Sequence, residues 1–292
     1  MQPTMNFEVI QMGVLADTLL KTDPQGASMG ATSKGMFLKA EKRILFLTDT
    51  AYKSPFNIQV ANMKGIETHI QPGDPWRCEN GQIKLKNGLW WFNITGASVW
   101  QPTDPPPMDL SPVQGKIRLE ALCEIMIKID PSKGWLFLRQ PDLVGMDDEK
   151  AMVTERVQGF LRAVAVADQA AALENARSIM GRGGGLTPSG DDWLSGFFLF
   201  FNRAKKITPF ISDLGLSLVN LAFERTTLIS ANRLEAALKG WAEELFLDFT
   251  DHLVNQECQF PVENVPLLVN FGHSSGVDTC LGIEAAQALV FE

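Results

Sequence analysis

Apolar and polar positions along this chain follow two different rhythms. Through the first hundred residues, short runs rich in β-formers alternate with turn residues. Phe7–Met12, Met36–Ala40, Arg43–Thr48, Asn57–Asn62, Gln82–Lys86 and Leu89–Ile94 read as strands. Asn80-Gly81 and Asn87-Gly88 are tight-turn signals, and the second reads as the tip of a hairpin. Trp90, Trp91, Phe92 and Trp100 load this region with aromatics, which suits a sheet core. From Asp147 onward the period lengthens. Val153, Val157, Phe160, Leu161 and Val164 fall on one face of a helix whose start is acidic, as the helix dipole prefers. Further helices are expected over 168–180, 193–203, 212–223, 228–239 and 277–289. Trp241, Leu245, Phe249, His252 and Leu253 share a face in another.

Between the two rhythms lies Pro102–Pro112, with five prolines and two aspartates, which reads as a linker. The expectation is an α+β protein: a β-rich domain over 1–112 and a mainly helical domain over 113–292 with glycine-rich loops at helix N-termini. Residues 117–129 read as a buried helix, and Trp135–Leu138 as one more short strand.

The densest polar stretch is Gly181-Arg182-Gly183-Gly184-Gly185-Leu186-Thr187-Pro188-Ser189-Gly190-Asp191-Asp192, followed at once by the apolar run Trp193–Phe201. Glycines let a backbone approach a ligand closely. Thr187 or Ser189 can cap the helix that follows, and Pro188 suits its first turn. A helix N-terminus offers free N–H groups and partial positive charge, which favours an anion. The stretch is neither a Walker A loop nor a dinucleotide fingerprint, since no Gly-Lys-Ser/Thr follows and no strand precedes.

Two more polar loops precede helices: Arg225-Thr226-Thr227-Leu228-Ile229-Ser230-Ala231-Asn232 and Gly272-His273-Ser274-Ser275-Gly276-Val277-Asp278. If the three helix N-termini meet, Arg182 and Arg225 are the guanidiniums suited to a carboxylate or phosphate. His273, in a Gly/Ser loop, suits acid, base or donor work. Ser274 and Ser275 ahead of Asp278 fit a capping box with Asp in place of Glu. A Ser-His-Asp nucleophile drawn from these parts lacks the Gly-x-Ser-x-Gly elbow. Asp191 and Asp192 beside an anion site allow three readings: a bridging metal, a hydrogen bond to a substrate amide, or helix capping.

Composition narrows the classes. With 292 residues and a net charge of −8, the chain buries a substantial core and does not suit a nucleic-acid binder. Cys78, Cys123, Cys258 and Cys280 are scattered without a CxxC pair, which suits reduced thiols. No run has the length of a membrane span, and no basic region followed by an apolar stretch opens the chain, so a cytoplasmic protein is expected.

Taken together, the three motifs resemble the bacterial AllH-type family, formerly a domain of unknown function. That family includes a subunit of oxamate carbamoyltransferase in anaerobic allantoin breakdown, a branch of purine catabolism. The resemblance spans mainly Gly181–Ala286, with Gly184 where another small residue or proline is expected. It implies a transferase that moves a carbamoyl group between carbamoyl phosphate and an oxamate-like amide acid, giving oxalurate and phosphate, within a complex of several subunits. On that implication Arg182, the backbone and side chains of Gly183, Gly184, Gly185, Thr187, Ser189 and Gly190, and those of Thr226, Thr227, Ser274, Ser275 and Asp278, line the anion site. Arg225 holds a carboxylate, Asp191 or Asp192 orients the amide, and His273 polarises the carbamoyl carbonyl or donates to the leaving phosphate. No cofactor is expected. Two alternatives stand beside this reading. One is a Mg²⁺-dependent phosphoryl-transfer enzyme with the metal on Asp191, Asp192 and Asp278. The other is a non-catalytic anion-binding or scaffold subunit.

Overall fold

A computed structural model describes residues 5–63, 69–86, 88–140 and 145–291. The chain divides into two compact units, Met1–Thr103 and Asp104–Glu292, the first rich in strands and the second helical. The α+β expectation holds.

In the first unit, nine strands run β1 (Met5–Gly13), β2 (Gln25–Thr32), β3 (Gly35–Ala40), β4 (Arg43–Thr48), β5 (Asn57–Val60), β6 (Pro75–Glu79), β7 (Gln82–Leu85), β8 (Trp90–Asn93) and β9 (Ser98–Trp100). Helix α1 (Val14–Thr22) lies between β1 and β2. Strand β1 pairs parallel with β8 and antiparallel with β5, so the order β5-β4-β3-β2-β6-β7-β8-β1 closes on itself as a barrel. Closure removes the free edges that an open sheet exposes. Alternation sends Met36, Leu38, Ile83, Leu85, Trp90 and Phe92 inward as its core. Trp91 points the other way, under the Lys84 ammonium at 4.9 Å. The aromatic load is thus mostly core, as expected. Asn80 and Gly81 both take positive φ (50° and 73°) in the turn that joins β6 to β7. The β7–β8 hairpin forms with Leu85 opposite Trp90, while Asn87 of its expected tip lies outside the described residues. Strands β2, β6 and β9 and helix α1 were not foreseen; β2 (QGASMGAT) is nearly all small residues and carries no alternation to read.

The proline-rich stretch is irregular only to Ser111. Pro112 takes the first position of α2 (Pro112–Ile129), behind a Ser111–Gln114 capping box. Asp109 and Leu110 donate their backbone N–H groups to Val254 O, and Asn255 Nδ2 donates to Pro107 O. These bonds tie residues 107–110 to the helical unit, and the division falls at Thr103 rather than at 112. Helix α2 is not buried all round: Leu119, Leu122, Cys123 and Met126 face inward while Val113 and Ile117 stand exposed. Residues 136–138 form a 3₁₀ turn, not a strand.

The remaining helices are α3 (Asp148–Ala165), α4 (Gln169–Ile179), α5 (Ser189–Arg203), α6 (Pro209–Arg225), α7 (Leu228–Ala237), α8 (Glu244–Val254), α9 (Val265–Val269) and α10 (Ser275–Phe291). Trp241 precedes α8 and is not part of it. Helix α5 is the centre: of its residues, only Asn202 is not buried. Helix α10 packs on it through glycine. A Cβ on Gly196 would stand 2.0 Å from Thr279 O, and one on Gly282 would stand 1.9 Å from Trp193 O. Backbone meets backbone at this crossing, which no larger residue allows. Ser189 meets Ser274 at one end and Phe200 meets Phe291 at the other, so the two helices run parallel, N-termini together. No described helix is long and apolar enough to cross a membrane.

Candidate functional site

Parallel packing of α5 and α10 brings the first and third polar loops side by side. Thr187 and Ser275 share a hydroxyl hydrogen bond of 2.7 Å, and Ser189 Oγ lies 3.4 Å from Ser274 Oγ. The second loop closes on the first. Thr227 Oγ1 donates to Leu186 O at 2.7 Å while accepting from Ser230 N as the N-cap of α7. Thr226 Oγ1 donates to Asp191 Oδ2, and Gly181 N donates to Asp191 Oδ1 at 2.8 Å. Three loops separated by up to ninety residues of sequence therefore meet where α5, α7 and α10 begin.

The glycine loop itself is exposed from Gly181 to Leu186, with positive φ at Gly181, Gly183 and Gly185. Gly183 is held close: a Cβ there would stand 2.6 Å from Ser189 N. Gly184 and Gly185 face open space. Neither Thr187 nor Ser189 caps α5; Pro188 occupies the cap position, and both hydroxyls turn to α10 instead. Gly190 N donates to Arg182 O, and Asp191 N and Asp192 N donate to Pro188 O. These first-turn donors are used within the protein, so an anion at α5 would not draw on them.

The three carboxylates differ sharply. Asp191 has both oxygens engaged, by Gly181 and Thr226, and so clasps the first loop to the second. Burial raises its pKa, and those donors oppose the rise. Asp192 is 1% exposed and receives Arg233 Nη1 on Oδ1, while its Oδ2 is buried with no partner at hydrogen-bond geometry. Burial pushes its carboxyl up to about 8, against the pull of Arg233 and the nearby Ser275 and Thr187 hydroxyls, with the Asp278 charge adding to the rise. Asp278 is fully buried and accepts Trp135 N on Oδ1 at 2.7 Å; its Oδ2 also has no partner. Burial raises it too, while the Ser189 and Ser274 hydroxyls and the His273 charge act the other way. Bonded to Trp135, Asp278 does not close the capping box expected with Ser274 and Ser275. Among the described residues no group of three or more His, Cys, Asp or Glu side chains is placed to hold a metal ion, the trio Asp191, Asp192 and Asp278 included.

The expected cations lie outside. Arg182 is exposed, with Nε turned back to Ser178 O at 2.7 Å, and Arg225 and His273 are exposed as well. The cation inside the cluster is Arg233, which sequence reasoning passed over. It meets Asp192, reaches Glu243 at 3.4 Å, and lies over the rings of Phe246 and Phe271 at 5.7 and 5.9 Å. Its signal was an arginine amid the apolar positions of α7, one turn after Ser230.

No curated protein and no solved structure matches the chain. Residues 179–287, which hold all three loops, match the family model described as oxamate carbamoyltransferase subunit AllH, the family that those motifs resemble.

Proposed function

We propose that this chain is a subunit of a carbamoyltransferase and that the convergence of α5, α7 and α10 is its site for a small anionic ligand, carbamoyl phosphate or an oxamate-like amide acid. The observation that carries this reading is the meeting of three sequence-distant polar loops in one hydrogen-bonded cluster, within the span that matches a carbamoyltransferase subunit. Arg182, Arg225 and His273, exposed around the cluster, supply charge for the phosphate or carboxylate. Helix N-termini at α7 and α10 and the Ser189 N–H add a preorganised field. In carbamoyl transfer the nitrogen of the acceptor attacks the carbamoyl carbon, the C–O bond to phosphate breaks, and the proton lost by the nitrogen leaves on the phosphate. The groups at hand serve that step by holding the departing phosphate and by accepting N–H bonds from the acceptor. Asp191, bonded on both oxygens, positions the two loops and does not face substrate. The family description also supports other enzyme subunits as partners.

A thermal-shift experiment on the purified chain with carbamoyl phosphate and with inorganic phosphate tests the site. A ligand at about a hundred times its Kd adds roughly 2.7 kcal/mol, which is about 5–10 °C for a unit of this size. Arg225→Ala and Arg182→Ala are each expected to reduce that shift. No stabilisation by either anion would remove the reading.

A further inference from the structure

We infer that Asp192 and Asp278 form the inner, donor-accepting end of the ligand site, so that a ligand enters with an N–H-bearing group first and leaves its anionic end outward. This rests on the reading of the loop cluster as a ligand site. It reverses the polarity that the glycine loop alone suggests.

Two buried acceptor oxygens, Asp192 Oδ2 and Asp278 Oδ2, have no hydrogen-bond partner among the described residues. Buried polar atoms in native proteins are rarely left so, and each such case calls for an occupant or a role. They belong to the first turns of two parallel, contacting helices. Hydroxyls surround them: Thr187 and Ser275 beside Asp192, Ser189 and Ser274 beside Asp278. Acidic side chains outnumber basic ones around them. Asp191, Asp192, Asp278 and Glu243 are all buried, and Arg233 is shared between Asp192 and Glu243. Three helix N-termini contribute only about half a positive charge each. A carboxylate or phosphate oxygen placed there would push both raised carboxyls further toward protonation, whereas an N–H donor favours their ionised form. An NH₂ group can donate to either unpaired oxygen and brings no like charge.

At the other end, the groups suited to an anion, Arg182, Arg225 and His273, are all exposed. Both polarities thus have a place, donor inward and anion outward. Both unpaired oxygens are closed to water, so a ligand reaches them only when the packing around them opens. Asp278 is on this argument a specificity-determining residue: it distinguishes a carboxamide from a carboxylate of the same shape.

Oxamate and oxalate make the comparison, since they differ by NH₂ against O⁻. Asp278→Asn is the clean variant, because its remaining Oδ1 still accepts from Trp135 N and only the unpaired oxygen becomes a donor. Calorimetric titration of the full chain is expected to show oxamate bound at least about tenfold tighter than oxalate, as like-charge juxtaposition requires. In Asp278→Asn that preference is expected to collapse or reverse, with phosphate binding little changed. Asp192→Asn, which keeps an Oδ1 acceptor for Arg233, provides a second reading of the same preference. Equal affinity for oxamate and oxalate, or a preference unmoved in both variants, overturns the inference. Phosphate binding without discrimination would sink it and leave the anion site standing. Binding of none of the three would remove both.

Discussion

Replacing Asp192 by Asn and following stability against pH isolates the least comfortable group in the fold. Its carboxyl is buried, and burial lifts it from 3.8 to about 8 even though Arg233 opposes the rise. A carboxyl whose folded pKa is raised binds a proton in the folded state where the unfolded chain has released it. Stability therefore falls as pH climbs from the unfolded value toward about 8, and is regained below. Within that window one such group contributes a slope of about 1.4 kcal/mol per pH unit. From pH 6 to pH 7.5 the loss is about 2 kcal/mol, or roughly 4–8 °C in Tm for the helical unit. Glu284, raised by burial to about 7, acts in the same direction, while His252, lowered by burial, opposes it. Asp192→Asn cannot titrate and should lose about one proton's share of the slope. Urea unfolding at pH 6.0, 6.75 and 7.5 gives the comparison directly. A wild-type stability that is flat or rising across this range, or a variant with an unchanged slope, would refute the account of the buried pair.

Three further outcomes follow from the packing. Gly282→Ala places a Cβ against the Trp193 carbonyl and should cost about 3 kcal/mol or more in denaturant unfolding, at the upper end for overpacking; a cost below about 0.5 kcal/mol would mean the α5–α10 crossing is not the tight contact described. Asp251→Ala strands the fully buried Arg203, bound through Nε at 2.7 Å and through Nη2, and should cost about 3–5 kcal/mol; a Tm near that of wild type would argue against a closed pair. Arg118→Ala removes a guanidinium that donates to the carbonyls of His252 and Asn255 at 2.7 and 2.8 Å, where α8 ends. Hydrogen exchange should then quicken in residues 252–258 before it does so elsewhere, at a global cost of about 1–3 kcal/mol; uniform exchange would count against a local clamp.

The sequence announced some of this through strong local signals. Short runs rich in β-formers marked six strands, and a continuous apolar run after a glycine loop marked α5. What escaped had no local signal. Strand β2 is built of glycine, alanine, serine and methionine, and is a strand because β3 and β6 flank it. Residues 136–138 are apolar enough for a strand but fold as a 3₁₀ turn. In the site, the three loops were legible as polar, capping-rich segments, yet their meeting is a property of the α5–α10 crossing. Thr187 and Ser189 looked like caps and instead reach across to Ser275 and Ser274. Arg182 and Arg225 drew attention as the loop cations, while the cation inside the cluster is Arg233, whose partners lie on α5 and just before α8.

Asp191 and Asp192 show where residue type stops predicting role. Both sit in the first turn of α5, and both complement the dipole of a helix laid parallel to α10, where two positive ends would otherwise stand together. Successive residues on a helix point about 100° apart. One carboxylate therefore turns toward Gly181 and Thr226 and is satisfied on both oxygens, while its neighbour turns toward Arg233 and Asp278 and is not. Dipole compensation alone explains Asp191. For Asp192 and Asp278 it leaves a remainder, since one oxygen on each is held away from water without a donor. Arg203 is paired with Asp251, whereas the unpaired oxygens of Asp192 and Asp278, on the first turns of two contacting helices, are left for a ligand to complete.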